Sequence, residues 1–241
     1  MVAHVGTSGW SYAHWDELYP PGTPPAARRD LYVQRFSTVE LNASFYRWPA
    51  DRTFAAWRKQ LPEGFQLSVK APRGLTHAKK LYSPEAWVGR LAGSWHELTG
   101  RRGILLVQLA PAHGRDDPRL AYFLERLPSW IRVAVEVRHP SWHDEAVFDL
   151  LERHGAAYCV MSGAQLPCIL RATAQHVYVR LHGPDHDHIY GGSYSDDDLR
   201  WWADRINEWE GGGHEVYAYF NNDGQGHAVR NADTLRRFLG Q

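Results

Sequence analysis

Ile104-Leu105-Leu106-Val107-Gln108 and Ala134-Val135-Glu136-Val137-Arg138 flank a helical pattern at 117–127. Two apolar runs on either side of one amphipathic stretch read as strand, helix, strand, and strands joined by such a crossover lie parallel. Each run also ends on a charged or amide side chain. A buried strand has no structural need for that ending, because burying an unpaired charge is costly or shifts its pKa until it neutralises.

The same pattern recurs along the chain. Thr38-Val39-Glu40-Leu41-Asn42, Gln66-Leu67-Ser68-Val69-Lys70, Tyr178-Val179-Arg180-Leu181-His182 and Tyr217-Ala218-Tyr219-Phe220-Asn221-Asn222-Asp223 repeat it. With runs centred on Val5 and Val160 the count of strands reaches eight. Helical patterns lie at 25–36, 51–61, 84–98, 117–127, 145–154, 196–209 and 231–239. Ser83-Pro84-Glu85 reads as an N-cap serine with proline at the first helical position, and Ser195-Asp196-Asp197-Asp198 places acids where the helix dipole favours them. Leu199, Trp202, Ile206 and Trp209 recur at spacings of three and four residues, giving one apolar stripe to lie on a sheet.

Eight strands alternating with helices predict a single α/β domain over 1–241, a TIM (β/α)8-type barrel. The crossover between strands six and seven is irregular, because Gly163-Ala164-Gln165-Leu166-Pro167 breaks any long helix. An open doubly wound sheet is the rival topology. The length suits one barrel: 241 residues with 44% apolar content bury a full core. Tyr19-Pro20-Pro21-Gly22-Thr23-Pro24-Pro25 reads as a loop entering a helix rather than a linker.

Composition narrows the function classes. The formal net charge is zero, so the whole molecule has no electrostatic reason to hold nucleic acid or an anionic membrane, and any such binding requires a local patch. No basic-then-apolar leader is present and no apolar run approaches the ~18–20 residues of a membrane span. A cytoplasmic protein without a membrane partner is expected. Cys159 and Cys168 have neither the number nor the spacing of a disulfide framework or zinc site, and Cys159 reads as a small buried hydrophobe.

In a closed sheet alternate side chains point inward, so Glu40 with Asn42, Ser68 with Lys70, Glu136 with Arg138, and Arg180 with His182 each share a face. All fall at the C-terminal ends of their strands, the end at which such barrels carry active sites. The candidate catalytic residues are Glu40 and Glu136 as bases and His182 as proton carrier. Lys70, Arg138 and Arg180 form a candidate clamp for phosphate or carboxylate, with Asn42, Gln108, Asn221, Asn222 and Asp223 among them. Trp10, Tyr12, Phe45, Tyr46, Trp48 and Trp142 lie in the loops beyond strands one, two and five, and Trp10, Tyr46 and Trp142 are candidates for stacking on a ligand. The bland readings are a structural ion-pair ring and a satisfied core histidine at His182.

No cofactor is predicted. The run His182-Gly183-Pro184-Asp185-His186-Asp187-His188 lacks a recognised ligand spacing. Glu40, Glu136, His182 and Asp223 are disfavoured as a divalent-cation set because arginine and lysine are interleaved with them. There is no P-loop, dinucleotide-binding glycine fingerprint, nucleophile elbow or kinase signature.

"GTSGWSYAHW" at 6–15, "TVELNASFYRWP" at 38–49, "KAPRGLTH" at 70–77, "QLAP" at 108–111, "VEVRHPSW" at 135–142, "RLHG" at 180–183 and "YFNNDGQGHAVRNA" at 219–232 together resemble the YecE-like family, domain of unknown function 72. The resemblance runs in order over nearly the whole chain. It implies a TIM barrel and no established reaction, and only a fold-level analogy to endonuclease IV-like barrels points to nucleotides or nucleic acid. Ala110 stands where that pattern commonly has proline. Ser162 stands where it has aspartate, which weakens any mechanism needing a carboxylate after the sixth strand.

Two classes of function follow. An enzyme hydrolysing or isomerising a small phosphorylated or carboxylated substrate uses acid, base and cations together. A binding module for nucleotides or single-stranded nucleic acid uses the cations and rim aromatics without Glu40 or Glu136.

Overall fold

The structure, a computed structural model, describes residues 3–241. Its eight strands are β1 (His4–Thr7), β2 (Thr38–Leu41), β3 (Gln66–Lys70), β4 (Arg102–Gln108), β5 (Val133–Glu136), β6 (Ala157–Ser162), β7 (His176–Leu181) and β8 (Glu215–Phe220). The helices are α1 (Pro25–Arg35), α2 (Ala43–Tyr46), α3 (Asp51–Gln60), α4 (Glu85–Leu98), α5 (Asp117–Arg126), α6 (Glu145–Arg153), α7 (Asp196–Gly211) and α8 (His227–Phe238). The sheet order is β1-β8-β7-β6-β5-β4-β3-β2, and every ladder whose register is resolved is parallel. The two ends of that order meet at a parallel bridge between Ser8 and Glu40, where Gly9 N donates to Glu40 O at 2.7 Å. This is the α/β architecture of a TIM-type barrel, not an open sheet.

Gly6 explains how β1 approaches β2 so closely. A Cβ added there would lie 2.4 Å from Thr38 O, so any side chain would force the two backbones apart. The strands read as near-continuous apolar runs because both faces are covered, and Ile104, Leu105, Leu106 and Val107 of β4 are fully buried. Each such side chain contributes about 1.5–3 kcal/mol relative to exposure.

The chain divides into two compact units, one formed by the chain up to Glu40 with Val160–Gln241, the other by Leu41–Cys159. In the first, α8 packs on β1 and α7 on α8. Ser195 caps α7 in a reciprocal box with Asp198, and Leu199, Trp202 and Ile206 of the predicted stripe are buried. In the second, β4 pairs with β3 and β5, and α3 packs on α4. The register of β3 on β4 slips between Leu67 and Val69, and Ser68 Oγ fills the break by accepting from Ile104 N at 2.9 Å.

Most predicted helix positions agree with the structure, with two corrections. Ser83 does not cap α4: Pro84 is the N-cap, no side chain caps the helix, and Ser83 has a positive φ of 45°. The last helix starts at His227 rather than 231, after Gly226 at φ 74°, and its first turn buries Ala228 and Val229. Among the described residues, 163–175 hold no helix, so the crossover from β6 to β7 is the loop expected there.

Candidate functional site

The predicted site residues fall into two groups, one within each unit. In the unit carrying β7 and β8, Glu40 and Arg180 face each other in a bidentate pair, with Arg180 Nε 2.9 Å from Oε2 and Nη2 2.8 Å from Oε1. Tyr178 OH donates to Oε2 at 2.7 Å and Ser8 Oγ donates to Oε1. The carboxylate therefore receives four donors, and both ionic residues are sealed from solvent. Burial, followed by the Glu40 charge, pushes the Tyr178 hydroxyl well above its ordinary pKa, so it stays a donor. Two further bonds hold this layer: Thr38 Oγ1 to Tyr219 OH at 2.6 Å, and Thr7 N to Tyr32 OH at 3.0 Å.

His182 is fully buried beside this layer. Its Nδ1 faces Asn221 Nδ2 at 3.2 Å, its ring meets Tyr190 edge-on at 5.4 Å, and Gly163 packs so tightly on it that an added Cβ would lie 2.8 Å from His182 Cβ. Asn222 is also fully buried and ties the end of β8 to the loop before α7 through Gly192 O and to α8 through Asn231 Oδ1, both at 2.9 Å. Asp223 is half-buried, its backbone O accepts from His14 Nε2 at 2.7 Å, and burial raises its carboxyl pKa against the opposing pull of His14.

In the Leu41–Cys159 unit, Lys70, Gln108 and Glu136 end three adjacent strands, with Gln108 beside Glu136 in the ladder. Arg138 Nε donates to Glu136 Oε1, and the Cys159 thiol approaches Oε2 at 3.8 Å. Cys159 is therefore more than inert filling. Ser44 Oγ lies 2.8 Å from Leu41 O and 2.7 Å from Lys70 O and gives its one proton to either, which fixes the short α2 over the end of β3. That position carries the Phe45 ring under Lys70 Nζ, 4.4 Å from the ring centre. Asn42 stands at the N-cap of α2 and bonds Phe45 N through its backbone carbonyl, not its side chain.

His77, which no strand-end rule could have identified, joins this second group. It lies in a π-helical turn over Gly74–Ala78, a rare local form often found at functional positions, with its ring 4.9 Å from Phe45. Burial, then Lys70 and Arg73, hold its pKa below the ordinary 6.5, while Glu136 pulls the other way. Thr76 Oγ1 is within 3.3 Å of Pro72 O and 2.9 Å of His77 Nδ1. The hydroxyl has one proton; given to Pro72 O, it leaves Nδ1–H as donor to Oγ1 and Nε2 as an open lone pair. His113, also unmarked in the sequence, is buried with both ring nitrogens unpartnered among the described residues, as is Gln108 Oε1. Buried polar atoms left unmet cost about 1–3 kcal/mol each.

The rim expectation needs correction. Trp142 is 1% exposed with Nε1 donating to His113 O at 2.6 Å, and Trp10 and Trp48 are buried too, the latter bonding Ser94 Oγ at 3.0 Å. Tight loops fold these indoles back into the core, so their faces are not open platforms. Tyr46 alone of the predicted stacking residues is open, at 82% exposure. Among the described residues no three His, Cys, Asp or Glu side chains are grouped to hold a metal ion, and no helix is long and apolar enough to cross a membrane.

The pattern of the family described as "Protein of unknown function DUF72" matches residues 4–241. The chain is similar to the UPF0759 protein YunF of Bacillus subtilis (strain 168), 27% identical over 99% of this chain and 95% of that protein. It is 29% identical to the UPF0759 protein YecE of Escherichia coli (strain K12), over 58% of this chain and 50% of that one. A crystal structure of a DUF72 family protein from Thermotoga maritima superposes with a TM-score of 0.89 at 27% identity, covering all of both chains. One from Enterococcus faecalis V583 gives 0.84 at 19% identity, which speaks to the fold alone.

Proposed function

The chain belongs to the DUF72 family, and within its TIM-type barrel we propose acid–base chemistry, hydrolysis or isomerisation, on a small phosphorylated or carboxylated substrate held in the Leu41–Cys159 unit. Lys70 and Arg138 supply positive charge for the anion, Gln108 supplies a carbonyl for a substrate donor, and His77 moves the proton. The observation that carries this reading is the placement of His77 in the π turn, with Nδ1 2.9 Å from Thr76 Oγ1 and the ring against Phe45, whose own face lies under Lys70. A neutral imidazole with Nδ1 occupied by Thr76 and Nε2 open, beside Lys70 and Arg73, is a base next to an anion-attracting field. An anionic substrate bound there offsets the cations, raises the affinity of Nε2 for a proton and so favours its abstraction.

Glu40 and Arg180 take a different role in this reading. A carboxylate with four donors has no lone pair left for a substrate proton, so the pair serves as a rigid brace at the junction of β1, β2 and β7. Glu136 orients Arg138.

The reading is tested by calorimetric titration of the protein with inorganic phosphate and with a panel of phosphate monoesters and carboxylates. Lys70→Met is expected to weaken the binding of the best anion at least about tenfold, the equivalent of about 1.4 kcal/mol, while keeping the melting temperature. Equal affinity in the variant, or no anion bound by either protein, would remove Lys70 from any such site.

A further inference from the structure

We propose that a second region of the Leu41–Cys159 unit, the groove between α2, α3 and α4, binds single-stranded nucleic acid. The groove encloses about 880 Å³, and Arg47, Arg52, Arg73 and Arg90 line it with no aspartate or glutamate among its lining residues. All four arginines are exposed, and none lies within 4.0 Å of a carboxylate among the described residues. Elsewhere on the surface Arg29, Arg115, Arg200 and Arg230 are each paired with an acid. Asp51, next to Arg52 in the chain, is instead held by Ser94 Oγ at 2.6 Å. A chain of zero net charge thus concentrates uncompensated positive charge in one concave place.

Two features make the ligand more than a simple anion. The four cations come from separate segments: Arg47 follows α2, Arg52 belongs to α3, Arg73 precedes the π turn and Arg90 belongs to α4. A single phosphate engages one or two such groups, whereas phosphates linked along a backbone engage all four. The groove also offers aromatic faces. Tyr46 is 82% exposed at its edge, and Trp87 is half-buried with the Arg90 guanidinium 5.9 Å from its ring. Trp87 sits there because residue 74 is glycine: a Cβ at that position would come within 2.6 Å of Trp87 Cζ2. Arginines tracking a backbone beside rings able to stack on any base are how proteins hold unpaired strands without reading sequence. An acidic peptide would use the arginines but leave the rings without a partner.

Fluorescence anisotropy of a labelled oligothymidylate of about 12 nucleotides tests the proposal with the whole protein. Neutralising four phosphates predicts affinity falling about 50-fold as salt rises from about 50 to about 200 mM. The triple variant Arg47→Gln, Arg52→Gln, Arg90→Gln is expected to flatten that dependence to roughly a quarter of its logarithmic slope. Tyr46→Ala is expected to weaken binding about 5- to 100-fold, with the salt slope kept. These side chains are exposed, so melting temperatures report intact folding, and Lys70, Arg73 and His77 are untouched, so the outcome is independent of the acid–base reading. No binding at about 50 mM salt, or unchanged affinity in the triple variant, overturns the proposal. So does polyglutamate binding as tightly as the oligonucleotide with no effect of Tyr46→Ala, which would make the groove a site for acidic protein segments.

Discussion

Replacing Glu40 with glutamine is expected to lower folding stability by about 3–5 kcal/mol. Arg180 remains charged at any working pH, it is 1% exposed, and the Glu40 carboxylate is its bidentate partner. Glutamine keeps the shape of the side chain but presents an amide nitrogen where Arg180, Tyr178 and Ser8 all point donors, so a buried cation faces another donor. Urea unfolding measures the loss. The double variant Glu40→Leu, Arg180→Met is expected to recover part of it, because removing both charges removes the uncompensated one, although the Tyr178 and Ser8 hydroxyls lose an acceptor. A loss below about 1 kcal/mol in Glu40→Gln would mean that the pair is solvated rather than a buried brace.

His77→Ala is expected to lower turnover of an anionic substrate by about 100- to 10,000-fold, the usual range for removing a positioned proton carrier, with a much smaller change in KM. The pH profile gives a second check. Because burial and the neighbouring Lys70 and Arg73 hold the His77 pKa below 6.5, the active neutral form already dominates at neutral pH. The rate is therefore flat above the lowered midpoint and falls as pH drops through it. Folding follows the same sign: the unfolded chain binds the proton more readily, so this residue's contribution is complete above the ordinary value and is lost as pH falls below it. A rate that rises on acidification would assign the opposite protonation state to the imidazole.

The architecture was readable in the chain because it is repetitive. Eight apolar runs with helices between them leave few ways to cover both faces of a parallel sheet, and Gly163 to Pro167 disclosed the one crossover without a helix. The polar strand ends were also readable, since Glu40, Lys70, Gln108, Glu136 and Arg180 lie at or next to the last residue of their strands. What the sequence withheld was how saturated each one is. Periodicity places Glu40 and Arg180 on inward positions but cannot count the donors supplied by Tyr178 and Ser8, which sit 138 and 32 residues away from Glu40. His77 was hidden for another reason: a π turn has neither the period of a strand nor that of an α-helix. The loop tryptophans misled because composition locates an indole in a loop without showing that the loop folds it inward. Trp142, reaching His113 O, is the clearest instance.

The account rests on His77 lying in a field of cations that an anionic substrate relieves. Following the ring carbon resonances of His77 by NMR as pH is varied, without and with saturating inorganic phosphate, measures that directly. The account predicts a midpoint below the ordinary imidazole value in the free protein and an upward shift when phosphate binds, with the shift abolished in Lys70→Met. A midpoint at or above the ordinary value in the free protein, or one that phosphate leaves unmoved while it binds elsewhere, would contradict it.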